Sequence, residues 1–178
     1  MSDRFLLDAN AFIEPRDRYY SYDICPGYWT ALAQQHTVGC VISIDRVRGE
    51  LVPKSKDDWD DIAEWIERKI PSDFFKQTKD LAVIEKFQEI VNWVYNQSQF
   101  SDPAKAEFAS VADGWLVAYA AQNEMTVVTH EEYAPEAKRK VPIPNMCLEF
   151  DVAYQNTFEM LRDLRVKLIQ STKRRRKR

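Results

Sequence analysis

The chain has 178 residues, of which 45% are apolar and 12% aromatic, which suffices for one domain with a substantial core. No apolar run approaches the roughly 18 residues that a membrane span needs, and the N-terminus lacks the basic, apolar and small-residue succession of a secretory signal. From the sequence we therefore expect a soluble, cytoplasmic protein without a membrane partner.

The formal net charge of −3 conceals an uneven distribution along the chain. Residues 173–178 are all basic, so the first 172 residues carry 19 basic against 28 acidic side chains, a balance of −9. Such a block of like charges predicts a disordered tail, at 171–178, whose partners would be phosphate backbones or an acidic protein surface. A chain end that only improves solubility is the other interpretation. The candidate nucleic-acid contacts in this tail are Lys173, Arg174, Arg175 and Arg176.

The predicted elements alternate between strands and helices. In chain order they are a strand at 5–8, a helix at 27–35, a strand near 38–42, a helix capped by Ser43, helices at 57–70, 78–95 and after 101, a helix within 111–121, a strand at 127–129, a helical turn near 147, a strand at 152–154 and a helix at 157–164. Alternation of this kind predicts parallel pairing through right-handed crossovers. We expect an α/β three-layer sandwich with a mainly parallel sheet of four to five strands, in a domain of residues 1–170 with a helical excursion at about 53–109.

Four acidic residues lie where this fold would direct their carboxylates toward one point. Asp8 ends the first predicted strand and Glu131 follows the strand at 127–129, so both lie at the edge where open parallel sheets bind ligands. Glu50 lies at the border of the apolar stripe of its helix, and Asp113 opens another helix. The sequence therefore predicts one shared site for these four side chains.

Converging carboxylates need a cation or must take up protons. Two like charges about 4 Å apart repel by roughly 4 kcal/mol at an effective dielectric constant of about 20. Mg²⁺ or Mn²⁺ suits oxygen ligands and keeps bound waters, one of which can become an attacking hydroxide. This chemistry indicates a divalent-metal site for cutting phosphodiesters.

Other kinds of site have less support in the sequence. Ser110 and Asp113 match the S-x-x-D pattern of a capping box, which leaves a structural role for Asp113 open beside metal binding. The three cysteines form no C-x-x-C pair, and His36 and His130 are the only histidines. The sequence contains neither a glycine-rich phosphate loop nor a G-x-S-x-G motif. We therefore expect neither a nucleotide-binding loop nor a Ser-His-Asp catalytic triad.

Four segments taken in order resemble the motifs of PIN-domain nucleases. They are Leu-Leu-Asp-Ala-Asn at 6–10, Glu-Leu at 50–51, Ala-Asp-Gly-Trp-Leu-Val-Ala-Tyr-Ala at 112–120 and Val-Val-Thr-His-Glu at 127–131. The resemblance covers roughly residues 4–165 and is closest to a prokaryotic, toxin-type PIN-like branch. It implies a PIN-like fold and a Mg²⁺- or Mn²⁺-dependent endoribonuclease that hydrolyses RNA with metal-activated water.

The resemblance also implies roles for particular residues and partners. The acids carried over as metal-binding and catalytic are Asp8, Glu50, Asp113 and Glu131. Asn10 and Thr129 match the polar positions that orient these acids by hydrogen bonds. A cognate antitoxin protein and a homodimer are the partners that it implies besides RNA.

An acidic site needs basic groups around it before RNA can approach. Arg46 and Arg48, on the helix of Glu50, are candidates for this contact, as is the tail. The first alternative is a PIN-like module that binds RNA or a protein without cleaving; retention of all four acids argues against it. The second is an aspartate-dependent phosphatase, which usually requires D-x-D, whereas Asn10 replaces the second carboxylate here.

Overall fold

The computed structural model describes residues 4–169, so the tail predicted at 171–178 lies outside the described residues, and with it Lys173, Arg174, Arg175 and Arg176. The described part is an α/β three-layer sandwich, as expected, with one parallel sheet of five strands in the order β3-β2-β1-β4-β5. The strands are β1 (Phe5–Leu7), β2 (Val41–Ile44), β3 (Phe75–Lys76), β4 (Thr126–Val128) and β5 (Tyr154–Gln155).

Nine α-helices connect or flank these strands within residues 4–169. They are α1 (Asn10–Glu14), α2 (Pro26–Thr37), α3 (Asp45–Leu51), α4 (Asp61–Lys69), α5 (Leu81–Asn96), α6 (Asp102–Ser110), α7 (Asp113–Asn123), α8 (Ile143–Glu149) and α9 (Thr157–Asp163). None of the helices in the described range is both long and apolar enough to cross a membrane.

The central strands β1 and β2 are buried on both faces. All three residues of β1 and all four of β2 are buried, as parallel strands covered by helices on both sides require. The strand order reverses at β1, because β2 pairs on one side of it and β4 on the other. Such a reversal opens a crevice at the carboxyl ends of the two diverging strands, and ligands of open α/β sheets bind there.

The predicted boundaries around β2 were wrong by about three residues. Val38 is exposed and Gly39 has a φ of +82°, so a turn and not a strand follows α2. Ser43 lies within β2, where its buried hydroxyl donates to the Leu7 carbonyl at 2.7 Å. It therefore does not cap α3, whose N-cap position is Ile44.

The segment at 53–109 is helical but also adds the edge strand β3. Phe75 pairs with Ser43, and Lys76 with Ile44, in parallel register. The helices here begin later than predicted because Asp60 and Asp80 are the residues that cap α4 and α5.

Candidate functional site

The carboxylate of Asp8 lies in the crevice between β1 and β4. The Asp8 amide bonds to the Val128 carbonyl at 3.0 Å, which continues the ladder one residue past β1. Its side chain is 3% exposed and accepts hydrogen bonds from the Ala9 amide at 2.7 Å and the Thr129 hydroxyl at 2.9 Å. Thr129 follows the neighbouring strand β4, and its hydroxyl thereby holds one oxygen of the Asp8 carboxylate.

Glu50 connects α3 to the start of α7. Its Oε1 accepts a hydrogen bond from the Ala112 amide at 3.0 Å. The predicted capping box at 110–113 is not formed, because the Ser110 hydroxyl donates to the Glu107 carbonyl and α7 begins at Asp113 itself. Asp113 accepts no hydrogen bond from the described residues, so its carboxylate is available for another partner.

Glu131 is more strongly engaged than the other acids. One of its oxygens forms a salt bridge with Lys140 and the other accepts from the Ile143 amide at 2.9 Å. Its own amide donates to the Thr129 hydroxyl at 3.1 Å. Glu131 therefore has both oxygens paired with protein donors, which the sequence did not predict.

The four carboxylates are close enough to influence one another. Burial, together with the charges of Glu131 and Glu50, raises the pKa of Asp8 from 3.8 to about 6, against the lowering effect of its hydrogen bonds. Burial and the charges of Asp8, Glu131 and Glu50 raise the pKa of Asp113 to about 7, while Lys140 opposes this shift. The four predicted acids are thus near enough for their negative charges to act on one another.

The mouth of this site is a cleft of about 210 Å³ between α6, α7 and the loop before α8. It is lined by the carboxylate residues Glu50, Glu107 and Asp113 and by Lys140. Behind the acids lies buried Cys147, whose pKa is raised to about 12 by burial and by the charges of Asp8 and Glu131. This thiol is therefore neutral and packs against the site.

The remaining predicted site residues take other positions. Asn10 is half-buried at the start of α1, and within residues 4–169 its side chain bonds to none of the four acids. Arg46 is exposed, donates to the Thr78 hydroxyl at 3.3 Å and lies 4.5 Å from the centre of the Trp115 ring. Arg48 forms a salt bridge with Glu67. Both arginines thus already have protein contacts.

Lys140 is the site residue that sequence reasoning missed. It follows Lys138 and Arg139 in a loop between β4 and α8. This run of basic residues is the feature of the sequence that could have indicated a cation near the acids. The loop is held by Gln99, whose side chain donates to two of its carbonyls at 2.7 and 2.8 Å, and by Asn145. Because these contacts are long-range in sequence, spacing alone does not place Lys140 beside the acids.

Carboxylate oxygens are the ligands that a hard divalent cation prefers, so the residue types of this site fit such an ion. Within residues 4–169, however, no group of three His, Cys, Asp or Glu side chains is already arranged to hold a metal ion. Asp8 and Asp113 supply carboxylate oxygens, which suit Mg²⁺ and Mn²⁺. Glu50 has one oxygen committed to Ala112, and Glu131 would have to exchange Lys140 for the ion. Asp8 and Asp113 are therefore the residues best suited to hold a metal, with Glu50 and Glu131 around them.

Fold and site together define an α/β protein with an acidic cleft at the switch point of a parallel sheet. A family model described as "Domain of unknown function (DUF4411)" matches residues 5–168. The chain therefore belongs to this family. A search of curated proteins finds none that matches this chain.

Proposed function

We propose that the protein is a Mg²⁺- or Mn²⁺-dependent endoribonuclease of the PIN type. The observation that carries this proposal is that the charges of Glu50 and Glu131 act on both Asp8 and Asp113 and, together with burial, raise the pKa values of these two acids. Structural acids are normally paired with basic groups, whereas Asp8 and Asp113 make no salt bridge within residues 4–169 and lie among other carboxylates.

Each residue has a part that follows from its contacts. Asp8 and Asp113 would hold the ion, and Thr129 fixes the carboxylate of Asp8 through its hydroxyl. The bound ion would supply an activated water and offset the negative charge that develops at phosphorus. Lys140 lies at the cleft, where its ammonium group would draw the RNA phosphate toward the acids.

The toxin role belongs to this proposal and rests on the PIN resemblance. A toxin of this type would be held inactive by an antitoxin protein that covers the cleft, and it would act on cytoplasmic RNA. Expression of the wild-type chain should then arrest growth, and Asp8→Asn should relieve the arrest. Equal arrest by both proteins would contradict a catalytic toxin.

A non-catalytic RNA-binding module is the second candidate function. It is favoured by one observation, namely that both oxygens of Glu131 are already paired with Lys140 and Ile143. Such a module would bind RNA equally well with and without Mn²⁺ and would leave it intact.

The proposal is tested by cleavage of RNA by the purified protein with Mn²⁺, with 5′-end sequencing of the products. Asp8→Asn and Asp113→Asn should abolish cleavage while circular dichroism shows an intact fold. Asp57→Asn is the matched control, because Asp57 is exposed on a turn between α3 and α4. This variant should cleave RNA as the wild type does. Cleavage that survives both site variants, or that never occurs, would refute the proposal.

A further inference from the structure

A second cleft, of about 470 Å³, opens beside the carboxylate site at the carboxyl ends of β4 and β5. Thr129 and Glu131 belong to its lining, so it is continuous with the acids, and Tyr133, Tyr154 and Phe158 provide its aromatic side chains. Its volume is within the range of roughly 300–1,000 Å³ typical of small-ligand sites. None of the roles argued above for the acids uses this cleft.

The aromatic side chains of this cleft differ in how firmly they are held. Phe158 is fixed by the ring of Tyr19 at 5.1 Å and the ring of His130 at 6.0 Å. His130 is itself anchored by a 2.8 Å contact between its Nε2 and the Thr157 hydroxyl. Tyr133, in contrast, is 51% exposed, and its ring pairs with no other aromatic ring of residues 4–169.

The charged groups of the cleft select against a phosphate as its occupant. Glu131, Glu132 and Glu159 all line it, and no lysine or arginine does. Both carboxylate oxygens of Glu131 are already paired with protein donors, and one oxygen of Glu159 accepts from the Asn156 amide, so the unpaired acceptors of the cleft belong mainly to Glu132. Glu132 is exposed and makes no salt bridge within the described part of the chain. A flat, uncharged ring that carries N–H donors would suit exposed aromatic faces and carboxylate acceptors.

We propose that this cleft binds one unpaired nucleobase of the RNA, adjacent to the phosphodiester at the carboxylate site, with the ring of Tyr133 stacked on the base. This inference rests on the proposed function, because the shared residues Thr129 and Glu131 set the base next to the cleavage site. The protein would then require an unpaired nucleotide flanking the cut, since a base in a duplex is stacked on its neighbours and does not enter.

The test uses the full chain with Asp8→Asn, so that RNA is bound without being cut. The Kd of an unstructured oligoribonucleotide is measured for this protein and for further variants Tyr133→Ala and Tyr133→Phe. Tyr95→Ala is the matched control, because Tyr95 on α5 is 52% exposed but does not line the cleft. A 2-aminopurine label in the RNA reports stacking directly through its fluorescence.

Tyr133→Ala should raise Kd by about 5- to 100-fold and reduce the quenching of 2-aminopurine, as expected for loss of one stacked base. Tyr133→Phe and Tyr95→Ala should leave both readouts unchanged. An unchanged Kd in Tyr133→Ala, or no binding by the Asp8→Asn protein, would overturn the inference.

Cleavage by the otherwise wild-type chain separates the two proposals. If kcat/KM is the same with and without Tyr133→Ala, the nucleobase cleft is refuted and the nuclease stands. If RNA binding depends on Tyr133 but no cleavage occurs, the nuclease is refuted and the cleft stands.

Discussion

Replacing Asp113 by Asn should stabilise the metal-free protein at pH 8. Burial and the neighbouring carboxylates raise the pKa of Asp113 from 3.8 to about 7. Since one pKa unit corresponds to about 1.36 kcal/mol, ionising Asp113 in the folded state costs roughly 4 kcal/mol relative to the unfolded chain. Asn is neutral at every pH and avoids this cost.

The direction of the pH dependence follows from which state binds more protons. Between about pH 4 and pH 7 the folded protein holds a proton on Asp113 that the unfolded chain has released. The stability contribution of this group is therefore present below pH 4 and is lost as the pH rises through about 7. Wild type and Asp113→Asn should have similar stability at pH 4 and differ by up to about 4 kcal/mol at pH 8.

Urea denaturation in the presence of a chelator measures this difference in the free energy of unfolding. Asp57→Asn is the control, because Asp57 is exposed and its loss should leave the pH profile of the wild type unchanged. Mn²⁺ at about 1,000 times its Kd should offset this difference, because only the wild type gains stability by binding it, by about 4 kcal/mol at that concentration. An Asp113→Asn protein no more stable than the wild type at pH 8 would refute the electrostatic reasoning.

Three other substitutions test the site and its supports. Gly114→Ala should lower the free energy of unfolding by about 1–3 kcal/mol in urea, because its Cβ would lie 2.9 Å from the Phe87 ring; unchanged stability would contradict the tight packing of α7. Thr129→Val keeps the shape but loses the bond to Asp8, so calorimetry should find Mn²⁺ bound roughly 10- to 100-fold more weakly, and equal affinity would exclude an orienting role. Lys140→Gln removes the cation paired with Glu131 and should tighten Mn²⁺ binding; weaker binding would show that Lys140 does not compete with the ion.

The parts of the fold predicted well are those that local hydrophobicity determines. The apolar run before Asp8 identifies β1 because a parallel strand covered on both faces has to be apolar throughout. Asp8 and Glu131 could then be assigned to one edge from the strands that precede them, whereas the role of Thr129, which donates a hydrogen bond to Asp8, was implied only by the PIN resemblance.

The parts predicted poorly depend on contacts between distant residues. Serine is a residue type common at helix N-caps, but the Ser43 hydroxyl donates to the Leu7 carbonyl on the neighbouring strand. The two-residue strand β3 has no periodicity of its own and exists because β2 offers it a free edge. Lys140 reaches Glu131 only because Gln99 and other remote side chains fix the irregular loop that carries it.

Binding of Mn²⁺ to the purified chain tests the central claim most directly, because every catalytic argument depends on a cation held between Asp8 and Asp113. Titration calorimetry should show saturable binding to the wild type and to Asp57→Asn, and loss of that binding in Asp8→Asn and Asp113→Asn. Absence of binding to the wild type, or equal binding by all four proteins, would contradict the account.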